Sequence, residues 1–171
     1  APANAQKRNP SKSADIAFER KQYNVAIERY KKAYKKTGKK KYEEERTYIT
    51  HQLAECYRLT EATKLAEAQY KRLMRTEFPK ENPEVYLNYA NVLKRNQKYD
   101  LAAEIYAIYN ELMPDDPRGF AALEDMQYIQ EWIDYPSKYE VTRLRKLNSR
   151  ASDFGISWIT NNYNEVIISS S

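Results

Sequence analysis

Between Glu84 and Pro114 the side chains that govern packing stand at fixed offsets: Ala90, Tyr99, Ala102, Tyr106, Tyr109 and a closing Pro114. Ala90 and Leu93 share one face of a first helix. Ala102, Tyr106 and Tyr109 share one face of a second, at i, i+4, i+7 spacing. Asn96-Gln97-Lys98 supplies a polar turn between them. A small residue lets two helix backbones approach closely, and a tyrosine fills the groove beside it. The pattern recurs twice upstream. Ala14, Tyr23, Ala26, Tyr30 and Ala33 keep the same mutual offsets, and Ala54, Tyr57, Ala66, Tyr70 and Leu73 form a copy with Thr63 where tyrosine is expected. Anchored on Ala14, Ala54 and Ala90, the steps are 40 and 36 residues. The longer first step is accommodated in residues 35–46, where Gly38 breaks the second helix.

A helix–turn–helix unit of about 34 residues with this Ala/Tyr/Ala/Pro signature resembles a tetratricopeptide repeat. One such pair cannot bury its own faces, whereas three stacked pairs can. The expected fold is therefore all-α, a tetratricopeptide-repeat α-solenoid over residues 14–136. After Pro114-Asp115-Asp116-Pro117, residues 118–133 read as a capping helix. Its Phe120, Leu123, Tyr128, Ile129 and Trp132 are predicted to cover the open face of the third repeat.

Composition narrows the function classes. Three glycines leave no glycine-rich phosphate loop, and one cysteine, Cys56, excludes an internal disulfide and a cysteine-based zinc site. A single histidine, His51, argues against a zinc enzyme. No apolar run reaches the roughly 18 residues that a membrane-spanning helix requires. Residues 1–13 read as a flexible lead-in, in which Ala3-Asn4-Ala5 has the small-x-small form of an export cleavage site. An ordinary flexible terminus is the alternative.

From residue 137 the period changes. Tyr139 and Val141 open an alternating stretch, and Ile156–Thr160 and Glu165–Ser169 are strand-like runs joined by a turn at Asn161-Asn162-Tyr163-Asn164. So small a set of strands is not a stable sheet alone, which reads as the front of a longer β domain. The segment Leu147-Asn148-Ser149-Arg150-Ala151-Ser152-Asp153-Phe154-Gly155, followed by a strand running into Ser169-Ser170-Ser171, resembles the first blade of PD40-type β-propellers. The family form has proline after the glycine, where this chain has Ile156. Repeats leading into such a propeller are similar to Bacteroidetes envelope proteins that also carry an OmpA-like peptidoglycan-binding domain. The resemblance implies a lipid-anchored protein on the periplasmic face of the outer membrane, in type IX secretion machinery, with envelope subunits as partners. Peptidoglycan would be met only through a domain outside these residues. The alternatives are a sister periplasmic protein with a ligand- or carbohydrate-handling propeller, and a generic cytosolic adaptor for RNA or chaperones.

The repeat family's groove positions, carried over by offset, imply Ser11, Asp15, Phe18 and Glu19 from repeat one. Repeat two supplies Tyr48, His51, Glu55 and Arg58, and repeat three Glu84, Leu87, Asn91, Lys94 and Arg95. Such a mixture suits an extended peptide or a partner helix. The carboxylate clamp of chaperone-tail receptors is not matched: Ser11, Asp15, Gln52, Glu84 and Asn88 stand where the clamp has lysine, asparagine and arginine. His51 is expected as one polar contact among several and Cys56 as an inert packing thiol. Asp115-Asp116 and Glu43-Glu44-Glu45 lie at helix ends, where the amino-terminal dipole favours negative charge. No nucleophile–base–orienter set is present, so no enzyme activity, cofactor or metal is expected. Residues 1–46 carry 14 Lys/Arg against 6 Asp/Glu, a net +8, while residues 47–171 carry 15 against 18, a net −3. Lys31, Lys32, Lys35, Lys36, Lys39, Lys40 and Lys41 form a basic patch. Without an interleaved stacking platform it does not point to specific nucleic-acid binding. An acidic protein or lipid headgroups suit it better.

Overall fold

Each predicted repeat becomes a pair of packed helices. The structure, a computed structural model, describes residues 10–38, 42–136 and 138, and the backbone of 153–158 and 166–170. Repeat one is α1 (Lys12–Glu19) with α2 (Tyr23–Lys36), and repeat two is α3 (Glu43–Leu59) with α4 (Thr63–Leu73). A one-turn helix, α5 (Phe78–Glu81), precedes α6 (Glu84–Arg95) and α7 (Tyr99–Leu112) of repeat three. Then comes α8 (Pro117–Asp134). Packing is sequential: α1 on α2, α2 on α3, α3 on α4, α4 on α6, α6 on α7 and α7 on α8. Ala14, Ala54 and Ala90, with Ala26, Ala66 and Ala102, are fully buried, and Tyr30, Tyr70, Tyr106 and Tyr109 fill the space beside them. The small-to-large packing read from the repeat is the core of the helical unit.

The turn inside each repeat is the same in all three copies. Lys21, Glu61 and Gln97 follow the end of the first helix with φ of 58°, 60° and 61°. At each, two backbone bonds close the helix. Gln22 N donates to Ala17 O at 2.9 Å and Lys21 N to Phe18 O at 2.8 Å. Ala62 and Glu61 repeat this onto Tyr57 and Arg58, and Lys98 and Gln97 onto Leu93 and Lys94. This is the Schellman closure, which usually places glycine at the left-handed position. Here three long side chains occupy it.

The capping helix packs through a different stripe from the one predicted. Gly119 and Met126 are buried, and Ala122, Leu123 and Ile129 are partly buried against the core. Leu123 and Ile129 therefore do cover repeat three. Phe120, Tyr128 and Trp132, expected to do the same, are 60%, 57% and 71% exposed. Gly119 sets this rotation. A Cβ there would lie 3.0 Å from Asn110 Oδ1 and 3.2 Å from Asn110 Cα, so a side chain would push α8 and α7 apart by a few tenths of an ångström. The stripe then continues at i+3, i+4, i+7 and i+10.

Residues 135–171 form a second unit. In it β1 (Asp153–Trp158) pairs antiparallel with β2 (Val166–Ser170), with a register irregularity between Phe154 and Ser157. β1 starts three residues before the expected Ile156 and includes Gly155, a residue often found where a strand bulges. The predicted turn at 161–164, the stretch 139–141 and residues 1–9 lie outside the described residues.

The left-handed turns give a test. An L-residue in this conformation costs about 1–2 kcal/mol, partly offset by the entropy of a flexible glycine in the unfolded chain. Lys21→Gly is expected to raise stability by roughly 0.5–1 kcal/mol in urea unfolding. Lys21→Ala, which keeps the Cβ, is expected to raise it by less.

Candidate functional site

The residue after each anchoring alanine is polar, and each meets the tyrosine fifteen residues later. Tyr30 Oη donates to Asp15 Oδ1 at 2.7 Å, and Tyr106 Oη to Asn91 Oδ1 at 2.7 Å. Tyr70 Oη donates to Glu55 Oε1. A second set of bonds joins successive repeats. Tyr48 Oη on α3 reaches back to Asp15 Oδ1 at 3.0 Å, and Asn88 Nδ2 on α6 to Glu55 Oε1 at 3.3 Å. Lys94 Nζ on α6 reaches Asp125 Oδ2 on α8 at 2.8 Å. The first helices α1, α3 and α6, and then α8, are thus tied into one row by the predicted groove residues Asp15, Tyr48, Glu55 and Lys94 together with Asn88 and Asp125.

Glu55 is the most heavily engaged. Besides Tyr70 and Asn88, it accepts from Arg58 Nε at 3.1 Å and Nη2 at 2.6 Å. His51 Nε2 stands 4.0 Å away. Burial, then the neighbouring carboxylate, pushes the phenols upward: Tyr30 beside Asp15 and Tyr70 beside Glu55, with Tyr48 raised to about 12. Burial holds His51 below its ordinary value against the pull of Glu55, and Arg58 adds to the lowering. Its ring lies against Phe78, centroids 5.1 Å apart. Cys56 is fully buried, and burial raises its thiol to about 12, as suits a packing residue.

Three predicted groove residues are corrected. Leu87 is only 5% exposed because α6 is enclosed by α4, α5 and α7; it belongs to the core. Glu55 is 9% exposed and its oxygens are occupied, so it orders the groove rather than contacting a partner. Ser11 is likewise buried, its hydroxyl on Asp15 Oδ2 at 3.2 Å. Asp15, Tyr48 and Arg58 are half-buried. Phe18 packs edge-on against Tyr23, centroids 5.6 Å apart. Glu19, Glu84, Asn91 and Arg95 are exposed, with Lys94 and His51 partly so.

The charged groups on this face largely answer one another. Arg95 Nη2 meets Glu61 Oε2 at 2.5 Å, and Lys98 Nζ meets Glu67. Arg118 holds Glu84 through two bonds of 2.8 and 2.9 Å and also bonds Asp116. Asp116 accepts from the Arg118 backbone N–H at 2.9 Å, the helix-end role expected of it, and from Tyr109 Oη at 2.6 Å. The Arg118 guanidinium, then Tyr109, holds the Asp116 carboxyl well below the usual range. Glu61, Glu67, Asp125 and Arg118 were not among the predicted residues. Their pairings with Glu84, Lys94, Arg95, Asn96 and Lys98 join positions 29 to 34 apart and leave no local mark.

Of the basic patch, Lys31, Lys32, Lys35 and Lys36 are exposed on α2. Lys39, Lys40 and Lys41 lie outside the described residues. Among the described residues no group of three or more His, Cys, Asp or Glu is placed to hold a metal. None of the described helices is long and apolar enough to cross a membrane.

Two outcomes are expected from this network. Glu55→Ala strands Arg58 and the buried Tyr70 hydroxyl together, and should cost about 2–3 kcal/mol in urea unfolding. Asp15→Ala, at a half-buried site, should cost less. His51 titrates near 6.5 when unfolded and lower when folded, so its contribution is complete above about 6.5 and is lost as pH falls towards the folded value. The stability difference between the wild type and His51→Gln should therefore shrink between pH 7.5 and 5; a constant difference would contradict this.

No protein-family model matches the chain, and no curated protein matches it. Among solved structures it is similar to the tetratricopeptide-repeat domain of OM64 from Arabidopsis. The two are 19% identical with a TM-score of 0.57, over 69% of this chain and 91% of that one. At this identity the likeness is one of fold: the helical unit is a tetratricopeptide-type solenoid.

Proposed function

We propose that the chain is a docking module that binds protein partners along the row formed by α1, α3, α6 and α8, and that it is not an enzyme. The observation that carries this is the bonding of one first helix to the next through Asp15, Glu55 and Asp125. Those bonds fix the spacing at which Glu19, His51 and Arg95 are offered, so little order need be gained on binding. A surface of this kind favours an extended segment or a helix.

The finer reading is an envelope protein resembling PorE, an outer-membrane lipoprotein component of the type IX secretion system. It would sit at the periplasmic face of the outer membrane, linking secretion subunits to peptidoglycan through a further domain. What supports it is the stretch Asn148-Ser149 to Ser152-Asp153-Phe154-Gly155, leading into an antiparallel strand pair that ends in serines.

The test is a pull-down from a native envelope extract with the chain as bait. A second bait carries Glu19→Lys, His51→Ala and Arg95→Glu, changes that leave the Glu55 and Asp15 bonds in place. Secretion subunits are expected with the first bait and not with the second, at equal helicity by circular dichroism. Equal recovery with both baits would remove binding from this row. Recovery of subunits of an unrelated envelope machine would retire the finer reading alone.

A further inference from the structure

The second helices form a surface of different character. A cleft of about 350 Å³ opens between α2 and α4, with α3 beneath it. Leu53 and Tyr57, both buried, and the half-buried Tyr34 give it an apolar floor. Lys31, Lys32 and Lys35 line one wall and Arg72 the other. A smaller cleft of about 230 Å³ shares Tyr34 and Arg72 and carries Arg46, whose guanidinium lies 4.4 Å over the Tyr34 ring. The one carboxylate lining the larger cleft, Glu28, is engaged by Lys31 at 2.9 Å. Among the described residues Lys32 and Lys35 form no direct ion pair, acting on Glu28 only through space, and Arg72 Nη1 meets the neutral Gln69 at 3.3 Å. On the row of first helices, by contrast, most cations face an anion of the same chain.

Resting on the docking reading but moving its strongest recognition elsewhere, we propose that this outer cleft is a binding site for an acidic peptide, one apolar side chain flanked by carboxylates. The apolar residue sits on Leu53, Tyr57 and Tyr34, and the carboxylates meet Lys32, Lys35 and Arg72. Like charges gathered along a low-dielectric wall attract the opposite charge, and an arginine offers a planar fork to a carboxylate. The chemistry favours a peptide over the other anions. A bilayer surface is flat and does not enter a cleft between two helices. Single-stranded nucleic acid needs open aromatic faces for its bases, whereas Tyr57 is only 7% exposed and Arg46 covers a face of the Tyr34 ring.

The test is fluorescence anisotropy of the full chain with a labelled Gly-Ser-flanked peptide of sequence Asp-Glu-Phe-Asp-Glu. Parallel probes replace Phe with Ser, or the acids with Asn and Gln. Lys32→Glu with Lys35→Glu, and separately Arg72→Gln, are expected to weaken binding about tenfold or more, with helicity unchanged. The Glu19→Lys, His51→Ala and Arg95→Glu variant is expected to bind normally, which separates this site from the groove reading. The Ser probe should bind about tenfold more weakly than the Phe probe. Affinity should fall between 50 and 200 mM salt, values of about the range where surface charge is screened. Failure to bind below about 1 mM, indifference to the cleft substitutions, or equal binding of the Ser probe would overturn the proposal. So would tighter binding of anionic phosphatidylglycerol vesicles or of an oligo-dT of similar charge.

Discussion

A buried tyrosine hydroxyl is the constraint on which this structure depends. Tyr30, Tyr70 and Tyr106 are fully buried between the helices of their repeats, where their rings supply the bulk that alanines leave open. A phenolic hydroxyl left there without a partner would cost about 1–3 kcal/mol. Asp15, Glu55 and Asn91 remove that cost from the facing helix, always fifteen residues earlier. The Asp15 and Glu55 oxygens then also receive Tyr48 and Asn88 from the following repeat. Packing within a repeat and register between repeats are therefore settled by one set of acceptors. A solenoid normally gains its stability from the interfaces between neighbours; here those interfaces carry a polar pin as well as apolar area.

This economy shapes what the surfaces can recognise. Along the row of first helices Asp15, Glu55 and Asn91 are occupied and most rim charges are paired, from Arg95 with Glu61 to Arg118 with Glu84 and Asp116. Exposed pairs of this kind contribute little stability, but they lower the net field that a charged partner would feel. Along α2 and α4 one carboxylate, Glu28, is paired with Lys31 and stands against the further cations Lys32, Lys35 and Arg72, over a floor of tyrosine and leucine. One protein thus offers two surfaces of unlike chemistry, a self-compensated groove and a cationic cleft.

Part of the charge asymmetry of the sequence, net +8 over residues 1–46 and −3 beyond, has a place in the fold, at Lys31, Lys32, Lys35 and Lys36 on α2. Lysines late in α2 complement the carboxyl end of the helix dipole, and they also face Arg72 across the cleft. Both roles follow from one local placement, but only the second depends on α4 standing opposite.

Periodicity by itself determined the helices, their pairing and most of the core, because Ala and Tyr at fixed offsets admit one way of closing a helix pair. The all-α solenoid, the polar turn at Asn96–Lys98, the buried Cys56 and the helix-end role of Asp116 were legible for that reason. Tertiary structure decided which faces remain free. Leu87 holds a groove position by offset, yet α4, α5 and α7 enclose it. Phe120, Tyr128 and Trp132 lie on an apolar stripe, yet Gly119 allows so close an approach to α7 that a different stripe turns inward. Glu55 was expected to contact a partner and instead gathers Arg58, Tyr70 and Asn88. Such outcomes rest on contacts between helices distant in sequence, and no local pattern of side chains encodes how closely two backbones will meet.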